Sequence, residues 1–327
     1  MLDEIVESYK KQVPQKKRNW RTYEQQQYLR LQTAFDELRP LVFEAIETLN
    51  ISNANRQGIK PKLSIEKKVL ILLLKHLFGK SNRSMSCMMV LFSWLTGISV
   101  SYKSIERLYS DSVVILVLRN LHTLILDKKE IETSHCTGDG TGYSLTIKKH
   151  YASYAQALKD SAKTQSTVKR KKPMKKKFVY SFVIMDVDTR MHIGFGTSFK
   201  SENQAYKRAL SMTKQTGIRI DSIRLDRYYS TQGYVKELEE LFRKIKVYLI
   251  PKKNVTVRGS PQWSKMLKEF LNNTIPYLKE YYKRNQSESG FSEDKKRIGW
   301  KLEQKRDDRI DTANTLTTLW HNLYWLA

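Results

Sequence analysis

Hydrophobic residues recur at steps of three and four positions over most of the first 130 residues, and this period predicts helices. Residues 1–60 are mostly polar, so we interpret them as a helical N-terminal arm, followed by an all-α region over residues 61–130. The expected helices cover residues 23–49, 65–78, 85–96 and 101–109, with a longer apolar helix after them.

Beyond residue 130 the hydrophobic period changes to the alternation that is typical of β-strands. In the resulting order of elements, three antiparallel strands lie next to two parallel strands. Right-handed crossover connections lead into these parallel strands. We therefore predict the α/β class, with a ribonuclease-H-like domain over residues 131–327 that contains a mixed five-stranded sheet and helices. The expected strands are 136–147, 178–187, 192–199, 220–226 and 247–250, and the helices between the later strands are 202–216 and 232–245.

The charge of the chain is strongly one-sided. It has 59 Lys and Arg residues against 33 Asp and Glu, a formal net charge of +26, and this excess favours nucleic acid as a partner. Its 40% hydrophobic residues predict packed cores, and its 327 residues about two domains. Two cysteines exclude a disulfide framework, no secretory signal is visible, and the longest apolar run is too short to span a membrane. We expect a soluble cytoplasmic protein.

The most basic segment is residues 148–177, which contain eleven Lys and Arg residues and a single acid. We interpret it as an insertion between the first two strands, with Lys169, Arg170, Lys171 and Lys172 as candidate DNA contacts. Each cation that neutralises a phosphate releases a counterion, so this segment would give sequence-independent and salt-dependent affinity. The alternative is a solvated segment without function.

The segment 85–109 has the spacing of a helix-turn-helix. Gly97 permits the turn, and Ser101 is placed to cap a helix that carries Lys103 and Arg107 outward. A short basic helix of this kind can enter the major groove of DNA, so the all-α region is the candidate DNA-binding region. The alternative is a three-helix packing unit with a solvated basic face.

Three separated acids are the candidate chemistry. Asp139 lies on the first predicted strand, Asp226 at the end of the fourth, and Glu288 on a helix further along. Strands that neighbour each other can bring the two Asp carboxylates together. Carboxylate oxygens suit Mg²⁺ or Mn²⁺, and two such ions about 3.5 to 4 Å apart can promote cleavage and joining of phosphodiesters. Asp139 is the candidate to bridge both ions, with Asp226 and Glu288 each completing one.

Basic and aromatic residues surround the third acid. Tyr281, Arg284, Glu288 and Lys295 follow the spacing Tyr-x2-Arg-x3-Glu-x6-Lys. Such steps return to nearly the same side of a helix, so these side chains are expected on one stripe unless Gly290 ends or bends the helix. Arg284 and Lys295 would then hold DNA phosphates near the acids, and Tyr281 would share that surface.

The four-residue spacing resembles the Tyr-Arg-Glu-Lys signature of the cut-and-paste DDE transposases that prokaryotic insertion sequences encode. Residues 137–141, Thr-Gly-Asp-Gly-Thr, look like the first-acid strand of that family. Residues 225–230, Leu-Asp-Arg-Tyr-Tyr-Ser, look like its second-acid motif, in which an Asp is followed shortly by Tyr. The resemblance begins at about residue 62.

The resemblance implies a ribonuclease-H-like catalytic domain in which Asp139, Asp226 and Glu288 hold two Mg²⁺ or Mn²⁺ ions. It implies an enzyme that binds the terminal inverted repeats of its element, cleaves double-stranded DNA at the element ends and joins the 3' hydroxyl to target DNA. Bringing two ends together implies a homodimer in the synaptic complex, associated with the prokaryotic nucleoid. Two alternatives stay open: a ribonuclease-H-like nuclease or resolvase without strand joining, and a catalytically inactive DNA-binding descendant.

Family members that cut through a DNA hairpin carry a Trp that stabilises a flipped base, inside a β-rich insertion between the second Asp and the Glu. Here only 61 residues separate Asp226 from Glu288. Trp263 is the candidate for base stacking, and a buried core Trp is the alternative. His192 is not spaced as a metal ligand with a nearby carboxylate, so we expect it to be a surface or structural residue.

Overall fold

The structure is a computed structural model that describes residues 2–12, 19–51, 63–96, 99–145, 178–253, 255–304 and 306–327. The predicted basic insertion, with Lys169, Arg170, Lys171 and Lys172, and Gly97 of the predicted turn lie outside these residues. Within them the chain is a mixed α/β protein built around one mixed sheet.

The first half of the chain is helical, as the hydrophobic period predicts. Ser64, Ser101 and Asp111 cap three of its helices, because each side-chain oxygen accepts a hydrogen bond from a backbone N–H in the first turn. The predicted cap at Ser101 is therefore confirmed, and Lys103 and Arg107 are exposed on the helix that follows. The helices are α1 (Leu2–Gln12), α2 (Trp20–Glu47), α3 (Ile65–Leu77), α4 (Asn82–Thr96), α5 (Tyr102–Leu108) and α6 (Ser112–Lys128).

The second half of the chain supplies the sheet. Its strands are β1 (Thr133–Leu145), β2 (Phe178–Asp186), β3 (His192–Ser198), β4 (Arg219–Arg224), β5 (Lys246–Tyr248) and β6 (Lys301–Leu302). They lie in the order β3-β2-β1-β4-β5, with β6 beside the far end of β1. β2 is antiparallel to β1 and β3, whereas β4 is parallel to β1 and β5. The predicted mixed sheet is confirmed, and β6 is a strand that the sequence analysis missed.

Helices connect and cover the later strands. Those predicted at 202–216 and 232–245 are confirmed, and two helices that meet at Asn273 precede Glu288. The helices are α7 (Glu202–Gln215), α8 (Gln232–Phe242), α9 (Pro261–Asn272), α10 (Thr274–Tyr281), α11 (Asn285–Ile298) and α12 (Asp307–Trp325), with 3-10 turns at Arg227–Tyr229 and Tyr282–Arg284.

Buried hydrophobic side chains form two large clusters on opposite faces of the sheet. The first cluster joins α2, α3, α5 and α6 to α12 and includes Val179 of β2. The second joins the central strands to α7, α8, α9 and α10 and includes Phe182 of β2. Since successive side chains of a strand point to opposite faces, these two residues place the clusters on either side of the sheet. The N-terminal helices therefore share a core with the C-terminal helix.

α12 is buried along almost its whole length, between β3 and the helices α2, α3 and α6. Trp320 is fully buried, and its indole N–H donates to the carbonyl of Leu73 on α3 at 2.8 Å. Asn322 pairs with both backbone polar groups of His192, at 2.7 Å and 3.0 Å. These bonds satisfy the polar groups that the buried helix would otherwise leave unpaired.

Among the described helices, none is by itself long and apolar enough to cross a membrane. The bent pair α5 and α6 meets the requirement of length and composition when both helices are counted together. In the fold, α6 packs against α2, α3 and α12.

Candidate active site

The site begins on β1, whose alternating side chains face two different surroundings. Thr137, Asp139 and Thr141 point toward α11: the Thr137 Oγ1 lies 3.3 Å from the Ser287 Oγ, and Thr141 accepts a hydrogen bond from Lys295. The residues between them are glycines that face the opposite helix layer. Asp139 is therefore presented to α11 from the middle of the sheet.

Gly140 lets the Glu202 side chain approach β1 closely on that opposite side. A Cβ added to this residue would lie 2.5 Å from the carboxyl carbon of Glu202, which is far inside contact distance. Glu202 cannot move freely, because its Oε1 accepts a hydrogen bond from the Tyr229 hydroxyl at 2.9 Å. A side chain at position 140 would therefore displace the Glu202 carboxylate from its hydrogen bond with Tyr229.

The parallel pairing of β1 and β4 brings the second acid into place. Thr137 is level with Arg224 in this register, so Asp226, two residues past the end of β4, comes level with Asp139. Asp226 begins the 3-10 turn Arg227–Tyr229, where its Oδ1 accepts from the Arg227 N–H at 2.7 Å. That turn ends β4 and leaves the Asp226 carboxylate just beyond the C-terminal end of the strand.

The third acid arrives from α11, and one arginine links all three. Arg284 lies 2.8 Å from Glu288, 3.8 Å from Asp139 and 3.9 Å from Asp226, measured between guanidinium nitrogens and carboxylate oxygens. The side chains of Asp139, Asp226 and Glu288 are 19%, 49% and 53% exposed. The structure thus gathers the three predicted acids into one partly open cluster around the partly buried guanidinium of Arg284.

The charges of this cluster perturb each other. Burial raises the pKa of Asp139 to about 6, with a further rise from Glu288 and Asp226, while Arg284 works in the opposite direction. Burial also acts against the charge on Arg284, yet Tyr281 and the three carboxylates raise its pKa. The group carries more negative charge than one guanidinium neutralises, so it favours an additional cation.

The raised pKa of Asp139 has a measurable effect on stability. The folded protein keeps this proton up to about pH 6, whereas an unfolded chain releases it near the ordinary value of 3.8, so the contribution of Asp139 to the free energy of unfolding falls as pH rises through that window. Without divalent cations, Asp139→Asn should therefore stabilise the protein at neutral pH by about 1–3 kcal/mol and have little effect at pH 3.5. Urea unfolding across this pH range measures the difference. An equal difference at both ends of the range would contradict the prediction.

The other three members of the predicted stripe also reach the site or its border. Burial raises the pKa of the Tyr281 hydroxyl to about 12, and the ring lies 6.0 Å from the Arg284 guanidinium. The Lys295 Nζ donates to the Thr141 Oγ1 at 2.6 Å, and burial lowers its pKa. α11 continues without a break through Gly290 to Lys295. The prediction of one helix for the whole stripe is wrong, because Tyr281 ends α10 and Arg284 lies in the 3-10 turn, so that only Glu288 and Lys295 lie on α11.

Trp263 lies away from the cluster. It is 2% exposed, within the second hydrophobic cluster, and its indole N–H donates to the carbonyl of Thr256 at 3.0 Å. This placement supports the alternative of a core tryptophan. A base could reach the ring only after α9 had moved.

Sequence reasoning missed a buried group beside α11. His192, Asp294 and His321 lie together although they are far apart in the chain, so no spacing could have indicated them. The two imidazole rings stack in parallel with centroids 3.5 Å apart, and His321 faces Asp294 at 2.9 Å and the Arg190 carbonyl at 2.8 Å. Stacked rings do not aim their nitrogens at one point, so we interpret this group as structural: it fastens α11 to α12 and the β2–β3 turn.

No model of a known protein family matches the chain. The chain is 40% identical over 324 residues to a protein of Archaeoglobus fulgidus described as "Probable transposase for insertion sequence element ISA1214". The alignment covers 99% of this chain and 93% of that relative. Likeness at this level over nearly the whole length indicates common descent of the entire chain rather than of one segment.

Proposed function

Because this chain belongs to the family of insertion-sequence transposases, we propose that it is a DDE-type transposase with a ribonuclease-H-like catalytic domain. It binds the terminal inverted repeats of its element, cleaves DNA at the element ends and joins the 3' hydroxyl to target DNA by two-metal-ion phosphoryl transfer. The residues we propose for this chemistry are Asp139, Asp226 and Glu288.

The observation that carries the proposal is the convergence of three carboxylates from separate parts of the chain on Arg284. Surface acids on a chain with a net charge of +26 would more simply pair with separate lysines and arginines. Here three acids instead share one guanidinium near the C-terminal end of β4. The local excess of negative charge has a physical use only if further cations enter.

The donor set fits Mg²⁺ or Mn²⁺. Carboxylate oxygens are the ligands that these ions prefer, and Asp139, Asp226 and Glu288 would hold the ions, with Asp139 shared by both. When bound, the ions supply activation of the attacking oxygen and neutralise charge on the scissile phosphate. Arg284 occupies the position between the carboxylates where positive charge is needed, so we expect its side chain to turn toward a DNA phosphate when ions bind.

DNA is the proposed partner of three surfaces. Arg284 and Lys295, with Tyr281 beside them, hold the strand that is cut. Arg284 meets the acids from the 3-10 turn before α11, and Lys295 on α11 bonds Thr141, two residues past Asp139 on β1. The exposed side chains of Lys103 and Arg107 on α5 contact the terminal repeat, within a DNA-binding region at 61–130 that follows the N-terminal arm. Two ends require two copies of the catalytic domain at 131–327, so we propose a homodimer in the synaptic complex at the prokaryotic nucleoid.

The proposed function is tested with linear DNA that ends in the terminal repeats of the element, incubated with Mg²⁺ or Mn²⁺. We expect wild-type protein to cut at the element boundary and Glu288→Gln to bind the same DNA without cutting it. Glu293→Gln, on the same helix, is the matched control and should cut normally. Cleavage that survives Glu288→Gln would remove this residue from the site.

The same assay separates the alternatives. Cleavage without joining of the 3' end to a target plasmid would indicate a nuclease or resolvase. Specific binding without cleavage, alike in wild type and variant, would indicate an inactive descendant. Both results would overturn the proposed reaction while leaving the family unchanged.

The basic insertion should govern the salt dependence of DNA binding. Residues 169–177 contain seven Lys and Arg residues, and each phosphate contact contributes about 0.9 to the slope of log K against log salt. Deleting this cluster should weaken binding to all DNA sequences and flatten the slope, whereas a variant with every lysine of the cluster changed to arginine should keep it. Fluorescence anisotropy at several salt concentrations measures both. An unchanged slope after deletion would mean that the cluster does not contact phosphate.

A further inference from the structure

The two aspartates of the acid cluster lie beyond the hydrogen-bonded ladder that joins their strands. The pairing of β1 with β4 ends at Thr137 and Arg224. Asp139 and Asp226 each lie two residues past these last partners. On its other side, β1 stays paired with β2 at Asp139. The ladder between β1 and β4 therefore does not fix the distance between the two acids.

That distance needs support, because two carboxylates repel each other. Arg284 attracts both acids, from 3.8 Å at Asp139 and 3.9 Å at Asp226. We expect this side chain to turn toward a DNA phosphate when ions bind, so its attraction is withdrawn when the two acids must hold the ions. A contact that lasts through this change has to come from elsewhere in the fold.

A chain of contacts on the α7 side of the sheet connects the two acids. The Glu202 carboxylate lies against the backbone of Gly140, where an added Cβ would be 2.5 Å away, and it accepts a hydrogen bond from the Tyr229 hydroxyl at 2.9 Å. The Tyr229 N–H donates to the Asp226 carbonyl at 2.9 Å. The Gly140 N–H donates to the Asp139 Oδ1, also at 2.9 Å. Contact thus runs without a gap from one acid to the other.

The surroundings hold the central hydrogen bond of this chain in place. The Tyr229 ring is 1% exposed and packs against Phe182 and Tyr206, with ring centroids 5.7 Å and 4.8 Å away. Burial and the neighbouring Glu202 raise the pKa of Tyr229, so its hydroxyl keeps the proton that it donates. Glu202 lies in the first turn of α7, where the helix dipole stabilises a carboxylate. The ionised acceptor makes this bond stronger than one between neutral groups.

We propose that Glu202 and Tyr229 are positioning residues, which set the distance between Asp139 and Asp226 and thereby the affinity of the acid cluster for divalent ions. The inference rests on the proposed function, since it needs ions at that cluster. Both residues lie on the α7 side of the sheet, whereas Asp139 points toward α11, so they act through the backbone. Groups behind metal ligands typically change metal affinity by about 10- to 100-fold without touching the ion.

Binding of Mn²⁺ to the full chain without DNA tests the tie directly. Electron paramagnetic resonance counts the free ions, and Asp226→Ala gives the baseline for ions bound elsewhere. Tyr229→Phe keeps the buried ring and removes only the hydroxyl, so it should weaken Mn²⁺ binding at the acid cluster by about 10- to 100-fold. Wild-type affinity in Tyr229→Phe would overturn the proposal.

Substitutions of Glu202 separate the hydrogen bond from the charge. Glu202→Ala should lose as much Mn²⁺ affinity as Tyr229→Phe. Glu202→Gln should bind Mn²⁺ like wild type, because an amide oxygen still accepts from the Tyr229 hydroxyl. Equal loss in Glu202→Gln and Glu202→Ala would mean that the charge acts and not the bond, which would overturn the tie.

Tyr234→Phe is the matched control for loss of a hydroxyl. Its ring centroid lies 5.1 Å from that of Tyr229, but its hydroxyl bonds Asn203 rather than Glu202. This variant should bind Mn²⁺ like wild type. Equal weakening in Tyr234→Phe and Tyr229→Phe would mean that the whole group of tyrosines matters and not the bond to Glu202, and would overturn the proposal.

The Mn²⁺ dependence of cleavage distinguishes positioning from a merely structural role. Tyr229→Phe should need about 10- to 100-fold more Mn²⁺ than wild type for half-maximal cleavage of element-end DNA. A merely structural role would lower the midpoint of urea unfolding and leave that Mn²⁺ concentration unchanged. An unchanged concentration would therefore overturn the positioning role whatever the change in stability.

The outcomes are distinct from those of the proposed function. Wild-type cleavage with the same Mn²⁺ requirement in Tyr229→Phe would overturn the positioning role alone. Binding of Mn²⁺ by wild type without any cleavage, weakened in Tyr229→Phe, would overturn the reaction and leave the positioning role. Wild-type protein that binds no more Mn²⁺ than Asp226→Ala would overturn both.

Discussion

Asp226→Ala should reduce strand cleavage by about 10³-fold or more while leaving affinity for element-end DNA nearly unchanged. The reason is the position of Asp226: the parallel pairing of β1 and β4 puts it level with Asp139. Its side chain is 49% exposed and is one of the three carboxylates of the acid cluster. Gel analysis of cleavage products, with binding measured on the same DNA, separates the two effects.

The matched control for this prediction is Asp221→Ala. Asp221 is also an aspartate of the β4 segment, but it forms a surface pair with Arg219 at 2.7 Å and lies outside the acid cluster. Surface pairs of this kind contribute little, so the variant should cut at the wild-type rate. Equal loss of cleavage in both variants would mean that β4 is simply damaged by substitution, and retained cleavage in Asp226→Ala would exclude Asp226 from the site.

Trp320→Ala should lower the free energy of unfolding by about 3–5 kcal/mol, which is a large part of the roughly 5–15 kcal/mol typical of a folded domain. Trp320 is fully buried where α12 meets α3, packs near Phe35 of α2 and donates its indole N–H to Leu73. Its removal leaves a cavity and removes the hydrogen bond between α12 and α3 in the same place.

Urea unfolding measures this loss, and Trp20→Ala is the control because that ring is mostly exposed on α2. The control should change stability by less than about 0.5 kcal/mol. A loss below about 1 kcal/mol for Trp320→Ala would mean that the N-terminal helices and α12 do not depend on a shared core.

The sheet could be predicted because the hydrophobic period of its strands differs from that of the surrounding helices. The order of these elements along the chain then permits few sheet topologies. The level placement of Asp139 and Asp226 also follows from that order. β6 was missed because a strand of two residues is too short to show a hydrophobic period. Its pairing with β1 is set by the turn at Gly299.

Contacts between distant side chains lay beyond sequence reasoning. Spacing alone put Arg284 on one stripe with Glu288 and suggested that it binds phosphate, but only the fold brings it near all three carboxylates. For His192, the carboxylate of Asp294 is close in space and remote in sequence. For Trp263 the sequence suggested a contact that the fold does not provide. A tryptophan between Asp226 and Glu288 fitted a role in DNA contact, but its indole is buried and donates a hydrogen bond to Thr256 in a packed core.

The placement of α12 also affects how the chain acquires its fold. The hydrogen bond from Trp320 to Leu73 spans 247 residues, so the helices made first expose an apolar face until synthesis has almost passed residue 325. Contacts of such long range close slowly, and unburied apolar helices associate with each other in the meantime. A ribosome that stops early would therefore release an aggregation-prone fragment, and the yield of native protein should depend on chaperones that shield the first helices during translation.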